Sequence, residues 1–368
     1  MFVALRDLRF ARGRFALMGG VVALITLLVV LLSGLTAGLA RGNTSAVTDL
    51  PADRLVLAAP PPGEKPAFSE SSIPPSVQHA WVVEPGIRRA DPVAVGMSRA
   101  SRGERTAGVA VFAVAPGSPL APAVDDGRVV LSVKAAAALS VSAGDELQLG
   151  GRHVVVAAVE GTGEYSHAPL VWASTADASP NGQAPRAATF LALVTDPGTD
   201  PGADAGTGAG VDDDALAAAD ARLGTLTLSK ADSLAAIGSY SSENGSLQLM
   251  RALLFAISAL VIGAFFTVWT VQRSGEIAIL KAVGASTANL LRDALGQALV
   301  LLVAGTALGT AAAAAIGAAV GGAVPVVLDA ATLAVPALTL IALGLAGAAV
   351  ALRAITSVDP LTALGSAR

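Results

Sequence analysis

The chain has 368 residues, of which 53% are hydrophobic and only 14% are charged, and its formal net charge at pH 7 is −4. This composition is too apolar for an ordinary soluble protein of this length, and the small negative charge argues against a nucleic-acid partner. Because the sequence contains no cysteine, disulfides, thiolate metal ligands and a thiol nucleophile are excluded. The abundance of Ala and Gly is typical of a GC-rich, actinobacteria-like coding bias.

Four stretches of the chain lack charged residues and are long enough to cross a membrane, since a bilayer core of about 30 Å requires roughly 20 apolar helical residues. The third contains Gly321, Gly322 and Pro325, so we expect its helix to end near Val320. In the fourth we expect Pro336 to lie in the first helical turn, where a missing N–H does little harm. The stretches are Phe15–Ala40, Ala252–Gln272, Ala294–Leu328 and Ala330–Leu352.

The first stretch has an alternative interpretation as a signal peptide. Arginines precede it, and Gly38-Leu39-Ala40 resembles a cleavage site. However, the stretch is much longer than the roughly 7–15 apolar residues of a signal peptide, which favours an uncleaved helix.

Basic residues near the ends of these stretches predict that both termini face the cytoplasm and that the protein lies in a bacterial plasma membrane. They precede the first stretch, lie between the second and third, and follow the fourth, whereas the loop between the third and fourth has none. The residues concerned are Arg6, Arg9, Arg12, Arg14, Arg273, Lys281, Arg292, Arg353 and Arg368.

These patterns predict a membrane protein with four transmembrane α-helices and an α+β extracytoplasmic domain inserted between helices 1 and 2. The predicted division is a cytoplasmic amphipathic segment at 1–14, helix 1 at 15–40, the extracytoplasmic domain at 41–247, helix 2 at 248–272, a cytoplasmic loop at 273–292, helix 3 at 293–320, an external loop at 321–331, helix 4 at 332–352 and a cytoplasmic tail at 353–368.

The inserted segment changes character along its length. Residues 41–75 are rich in Pro, Ala and Ser and predict a loosely structured stalk. Residues 77–190 alternate short β-branched runs with Gly-containing turns, which predicts mostly strands. The acidic stretch 196–214 has almost no large apolar side chain, so we expect a disordered linker. Residues 215–250 are predicted to be helical, with a break at 238–246.

The sequence shows no catalytic, metal-binding or cofactor-binding set. It has no G-x-x-x-x-G-K-[ST] phosphate loop. His79, His153 and His167 form no ligand pair, so we interpret them as surface or turn histidines, and Ser166 beside His167 lacks a nucleophile elbow. The three acids at 212–214 could hold calcium, but the alternating spacing of a calcium loop is missing, and a solvated linker is favoured.

Small residues recur at intervals of four in helix 3, and helix 1 carries a similar pair. This spacing lets helix backbones approach closely in lipid, although an Ala/Gly-rich composition also produces it by chance. No charged residue lies in mid-membrane, which argues against an ion relay. The predicted packing residues are Gly34, Gly38, Gly305, Gly309, Ala313 and Gly317.

The loop between helices 2 and 3 predicts a separate helix of about nine residues, roughly 14 Å long. Ser274 is a suitable N-cap, Glu276 falls in the first turn, Lys281 lies near the end and Gly284 can terminate the helix. Ser286 can then cap helix 3. So short a helix is marginal in water by itself, and it must pack either on the membrane surface or in a groove of a cytoplasmic protein.

The stretch RSGEIAILKAVGAS, Arg273–Ser286, resembles the signature loop of the FtsX/MacB-like permease family of ABC transporters. ALRDLRFARGRFAL (4–17) is similar to the family's N-terminal amphipathic segment, and DPLTALG (359–365) to its C-terminal tail. VVLSVKAAAALSVSAGDELQLGG (129–151) is similar to part of the family's outer domain. One departure is Gln297, near a position where many members have an acid.

The resemblance implies a homodimer or close heterodimer of permease chains, with ATP and Mg bound by separate ATP-binding subunits rather than by this chain, which is not expected to be an enzyme itself. In the family, the loop between helices 2 and 3 is the coupling helix that is seated on the ATPase. That role carries over to Glu276, Ile277, Ala278, Ile279, Leu280, Lys281, Gly284, Ala285 and Ser286.

Three functions are compatible with this resemblance. The favoured one is export or extraction of a lipophilic, peptide or drug-like substrate, aided by an extracytoplasmic adaptor. The second is a mechanical relay that transports nothing and activates a cell-wall hydrolase or sensor. The third is a membrane-anchored binding module without an ATPase. Membrane lipids contact the chain in all three.

Overall fold

The computed structural model describes residues 12–178, 187–196, 212–272, 275, 279, 283, 286–321 and 324–356. The chain divides into two compact units. The helical unit comprises Met1–Leu39 and Gly245–Arg368, and the inserted unit comprises Ala40–Asn244.

Eight α-helices are described. They are α1 (Arg12–Thr48), α2 (Pro75–Val82), α3 (Val133–Leu139), α4 (Asp213–Leu223), α5 (Lys230–Ser233), α6 (Gly238–Gln272), α7 (Thr287–Val320) and α8 (Ala330–Thr356), with a 3₁₀ turn at Leu234–Ala236. Four of them, α1, α6, α7 and α8, are long and apolar enough to cross a membrane. The predicted four-helix membrane protein with a domain between helices 1 and 2 is confirmed.

Ten strands are described in the inserted unit. They are β1 (Arg54–Ala58), β2 (Ile87–Arg102), β3 (Arg105–Val114), β4 (Arg128–Leu131), β5 (Glu146–Leu149), β6 (Arg152–Val159), β7 (Glu164–Tyr165), β8 (Ala168–Ser174), β9 (Phe190–Thr195) and β10 (Thr225–Ser229). The sheet order is β10-β1-β9-β2-β3-β8-β4-β6-β5, with β7 paired to β8. Because β5 also pairs with β2, the six strands from β2 to β5 in this order form a closed ring of pairings.

Three apolar clusters fill the inserted unit. One combines the end of α1 with an edge-to-face aromatic group that includes Phe68, Phe112, Tyr165 and Phe190. A second lies among the ring strands and α3. The third lies under α2 and α4 and contains Trp81, which is fully buried. Both faces of the sheet are therefore covered: along β9, Phe190 and Ala192 belong to the first cluster, and the alternating Leu191 and Leu193 belong to the third.

Two sequence predictions for the inserted segment are wrong. The stalk predicted at 41–75 instead contains the last turns of α1 and the strand β1, in which Leu55, Val56 and Leu57 are fully buried. The helix predicted at 215–250 is interrupted by β10, which pairs with β1 along its whole length. In both cases short apolar runs form strands because the neighbouring strand supplies hydrogen bonds and cover, which local composition does not reveal.

The predicted break at 238–246 is also wrong, since α6 runs continuously from Gly238 to Gln272 and the irregular segment lies before it, at Leu234–Ala236. Pro336 lies inside α8, six residues after its first residue Ala330, rather than in the first turn. The predicted end of the third span at Val320 is confirmed. Most of the predicted linker, residues 197–211, lies outside the described residues. Residues 1–11 and 357–368 also lie outside them. The helix α4 begins at Asp213, inside the predicted linker.

Candidate functional site

The glycines that were predicted to pack helices lie at close approaches within the helical unit. A Cβ at Gly305 would lie 2.9 Å from Val22 Cβ, and a Cβ at Gly309 would lie 2.7 Å from Thr26 Cβ, both on α1. These distances are far below ordinary van der Waals contact, so α1 and α7 can touch only because both positions lack a side chain. Ala313, one turn further along α7, is fully buried.

The remaining predicted packing residues, Gly34, Gly38 and Gly317, lie against the segment between α7 and α8. A Cβ at Gly38 would overlap the carbonyl oxygen of Pro325, and a Cβ at Gly34 would lie 3.0 Å from the carbonyl oxygen of Val327. Val327 N donates to the Gly34 carbonyl oxygen at 3.0 Å. A Cβ at Gly317 would lie 3.0 Å from Leu328 Cδ1. The segment 325–328 therefore lies directly against the backbone of α1.

The loop between α6 and α7 is described only in part. Ile279 is helical and 66% exposed, and Val283 N donates to the Ile279 carbonyl oxygen at 3.0 Å, one helical turn away. Ser286 is the N-cap of α7, where its side chain accepts from the Asn289 N–H. The other seven residues of the predicted coupling helix, Glu276, Ile277, Ala278, Leu280, Lys281, Gly284 and Ala285, lie outside the described residues.

A cluster of polar side chains, here called the turn cluster, was missed by sequence reasoning. It consists of Asn43 near the end of α1, His167 in the β7–β8 turn and Glu243 in the first turns of α6. Glu243 Oε2 accepts from Asn43 Nδ2 at 3.0 Å and lies 2.9 Å from His167 Nε2. Asn43 is 1% exposed, whereas the His167 and Glu243 side chains are 38% and 41% exposed. All three belong to the inserted unit.

Backbone and hydroxyl hydrogen bonds reinforce the turn cluster. His167 N and Ser166 N donate to the carbonyl oxygens of Gly42 and Asn43, at 2.9 and 3.1 Å. Glu164 N donates to Ser45 Oγ at 2.8 Å, and Ser239 Oγ on α6 donates to Ser166 Oγ at 2.9 Å. The β7–β8 turn is therefore tied to both α1 and α6.

The turn itself is built from residues that disfavour its conformation. Ser166 and His167 have φ of 50° and 62° between the paired residues Tyr165 and Ala168, which is the arrangement of a two-residue hairpin turn that usually selects Asn-Gly. A non-glycine residue in this left-handed region costs about 1–2 kcal/mol. Such strain points to side chains that are needed at this place. Both turn residues make side-chain contacts, His167 within the turn cluster and Ser166 with Ser239.

The other singled-out residues have structural roles. Asp212 caps α4, and Asp213 pairs with Arg54 at 2.8 Å, which accounts for two of the three acids that could have held calcium. Among the described residues, no group of three or more His, Cys, Asp or Glu could hold a metal. Burial raises the pKa of Tyr165 to about 12, because the aromatic cluster desolvates the phenolate.

The fold defines the class of protein: a chain with four apolar helices, each long enough to cross a membrane, and a mixed α/β domain inserted between the first and the second. Residues 249–360, which contain α7, α8 and most of α6, match the family described as FtsX-like permease C-terminal. A protein of Staphylococcus epidermidis named as a hemin transport system permease is 29% identical over 142 residues, which are 39% of this chain and 41% of that protein. The chain thus spans about two fifths of the hemin permeases it matches.

Other relatives align along the whole length of the chain. An uncharacterized ABC transporter permease of Mycobacterium tuberculosis is 24% identical over 374 residues, covering 99% of each chain. Among solved structures, the extracellular domain of the transporter YknZ from Gram-positive bacteria covers 48% of this chain and 97% of its own, with a TM-score of 0.33 and 16% identity. The periplasmic region of MacB from Actinobacillus actinomycetemcomitans covers 50% and 92%, with a TM-score of 0.33 and 10% identity.

The predicted resemblance to the FtsX/MacB-like permease family is therefore confirmed. It rests on the family match across the last three membrane helices and on the full-length alignment with an ABC transporter permease.

Proposed function

We propose that the chain is the permease subunit of an ABC transporter, and that it couples ATP hydrolysis on a separate ATP-binding subunit to movement of the inserted unit outside the cytoplasm. The observation that supports this proposal most is the match of residues 249–360 to FtsX-like permeases. The loop from Gly275 to Ser286 is then the coupling helix, and a second permease copy completes the transporter.

The turn cluster supplies a route for the movement. Both α1 and α6 contribute residues to each of the two units without a break in the helix. The β7–β8 turn is bonded to α1 through the backbone of Gly42 and Asn43, and to α6 through Glu243 and Ser239. A change in the separation of the two helices at this level would therefore pull directly on the strands β7 and β8, rather than on a surface loop.

The favoured activity is export or extraction of a lipophilic, peptide or drug-like substrate. In the described residues of α1, α6, α7 and α8 the mid-membrane positions carry no charged side chain, which fits movement of an apolar molecule or of force rather than of an ion. A mechanical relay to a cell-wall hydrolase or sensor is the second candidate, and the turn cluster favours it, because it bonds the β7–β8 turn to those ends of α1 and α6 that belong to the inserted unit.

The coupling role has a direct test. The chain is co-expressed with the proposed ATP-binding subunit, and co-purification and ATP hydrolysis are measured for Ile277→Asp and Leu280→Asp. Both substitutions put a charge on one face of the coupling helix and are expected to abolish both signals. Ser142→Asp is the control, since it adds the same charge at an exposed position in the inserted unit, away from the predicted coupling residues. Unchanged co-purification and hydrolysis for Ile277→Asp and Leu280→Asp would refute the proposal.

A further inference from the structure

The inserted unit contains an open cavity of about 280 Å³ at the end of α1. It is bounded by the last residues of α1, the loop after β3, the loop after β6, and the strands β4 and β8, all within the inserted unit. Its volume lies just below the roughly 300–1,000 Å³ of pockets for drug-sized ligands, so a ligand that fits it is small. Its apolar wall is formed by Leu50, Leu120, Ala121, Val130, Leu170 and Trp172.

The rim of this cavity is acidic. Asp49 and Glu160 line it and are exposed, and no Lys, Arg or His lines it in the part of the chain that the structure describes. Lys134 and Lys230 bond to groups other than the rim carboxylates, although the Lys230 ammonium lies on the backbone on either side of Asp49. Lys134 pairs with Glu164 at 2.5 Å, and Lys230 Nζ donates to the carbonyl oxygens of Thr48 and Leu50 at 3.3 and 3.1 Å. The two rim carboxylates form no salt bridge among the described residues, and their charge is available to a cationic ligand.

An aromatic ring adds a second element of cation recognition. Trp172 is partly exposed, lines the cavity, and is held edge-to-face against Phe112 with ring centroids 5.4 Å apart. It is also paired in register with Val130 across β4 and β8, so its position is fixed by the sheet. An indole is the best aromatic partner for an ammonium group, and it also offers apolar surface to an alkyl chain.

We propose that this cavity binds a small cationic amphiphile, a primary amine with an apolar body, whose ammonium group lies between Asp49 and Glu160 and whose body contacts Trp172 and Leu170. The site goes beyond the proposed coupling function and does not depend on it, since binding requires neither ATP nor a partner. A bound ligand would contact Ser45 to Pro51 and the β strands together, and would thereby brace the end of α1 against the sheet.

The test uses three probes with the same six-methylene bromoalkyl chain and different head groups: 6-bromohexylammonium, 6-bromohexanol and 7-bromoheptanoate. The full chain is placed in phosphatidylcholine nanodiscs without an ATP-binding subunit, and quenching of tryptophan emission by bromine is titrated. Saturable quenching by the amine is expected, with at least tenfold weaker binding of the carboxylate. Trp172→Phe is expected to remove the saturable component while leaving the emission of Trp81 and Trp269.

Surface variants separate the site from partitioning into the bilayer. Asp49→Asn with Glu160→Gln is expected to weaken amine binding about tenfold and to leave binding of the alcohol unchanged; Asp126→Asn, an exposed acid that does not line the cavity, is the control. Ala123→Phe, at an exposed lining position, is expected to block all three probes without adding a tryptophan. Equal quenching by amine and carboxylate, or equal amine binding by the wild type and Ala123→Phe, would overturn the proposal.

Discussion

Gly309 on α7 gives the sharpest test of the helix contacts. A Cβ at this position would lie 2.7 Å from Thr26 Cβ and would also overlap the carbonyl oxygen of Ala23. Since ordinary contact begins near 3.4 Å, Gly309→Ala must push α1 and α7 apart by several tenths of an ångström or more. Overpacking of this kind costs about 1–3 kcal/mol, and the separation also loosens the neighbouring contact at Gly305.

The same helix offers a matched control. A Cβ at Gly296 would meet no atom within 4 Å, so Gly296→Ala adds no contact. Alanine is favoured over glycine in a helix by about 1 kcal/mol, and this gain applies to both substitutions. We therefore expect Gly309→Ala to be less stable than Gly296→Ala by about 1–3 kcal/mol, which is roughly 5- to 150-fold in the unfolding equilibrium constant.

The assay is reversible unfolding of the full chain by SDS in mixed micelles, followed by Trp fluorescence. If Gly309→Ala is as stable as Gly296→Ala, the close packing of α1 on α7 is refuted.

Three further predictions concern the inserted unit and its neighbours. Asn43→Ala is expected to lower the free energy of unfolding by about 1–3 kcal/mol, because it removes a buried amide that donates to the Glu243 carboxylate. Glu243→Gln is expected to cost less than about 1 kcal/mol, because the contact of Glu243 with His167 is more than a third exposed. Urea unfolding measures both changes. In a spectrophotometric titration, the difference between wild type and Tyr165→Phe is expected to show a phenol with a pKa of about 12. Because the pKa of Tyr165 is raised in the folded state, the stability that this group contributes is present below pH 10 and falls as the pH rises toward 12. A difference titration centred near pH 10 would contradict this prediction. Gly38→Ala is expected to displace the segment that contains Pro325, measured as faster hydrogen exchange at 324–329, and unchanged exchange there would contradict the close approach.

The membrane helices could be predicted from the sequence because their signals are local. A charge-free run of sufficient length defines a span, and the end of α7 at Val320 and the cap at Ser286 follow from neighbouring glycines and a hydroxyl. Even so, a local signal misled at Gly238 to Ser246, where polar residues and glycines suggested a break. The helix tolerates them because a single Gly costs only about 1 kcal/mol and the helix continues into a long apolar span.

The turn cluster could not be predicted, because its members are far apart in the chain. Asn43 and His167 are separated by 124 positions, and His167 and Glu243 by 76. One sequence carries no information on such pairings. The available signal was weak: Ser-His occupies a hairpin turn in which Asn-Gly is usual. The strand β1 was missed for a related reason, since its five residues lie in a Pro-rich stretch and are identified as a strand only by their pairing with β9 and β10.

The measurement that tests the central proposal most directly is a cross-link from the coupling helix to the ATP-binding subunit. The chain has no native cysteine, and Val283 is 84% exposed, so Val283→Cys can carry a single photoactivatable maleimide in membranes that contain both subunits. We predict a covalent adduct with the ATP-binding subunit from Val283→Cys and none from Ser142→Cys, an exposed position in the inserted unit. If Val283→Cys gives no such adduct, or if Ser142→Cys gives an equal one, the coupling account is wrong.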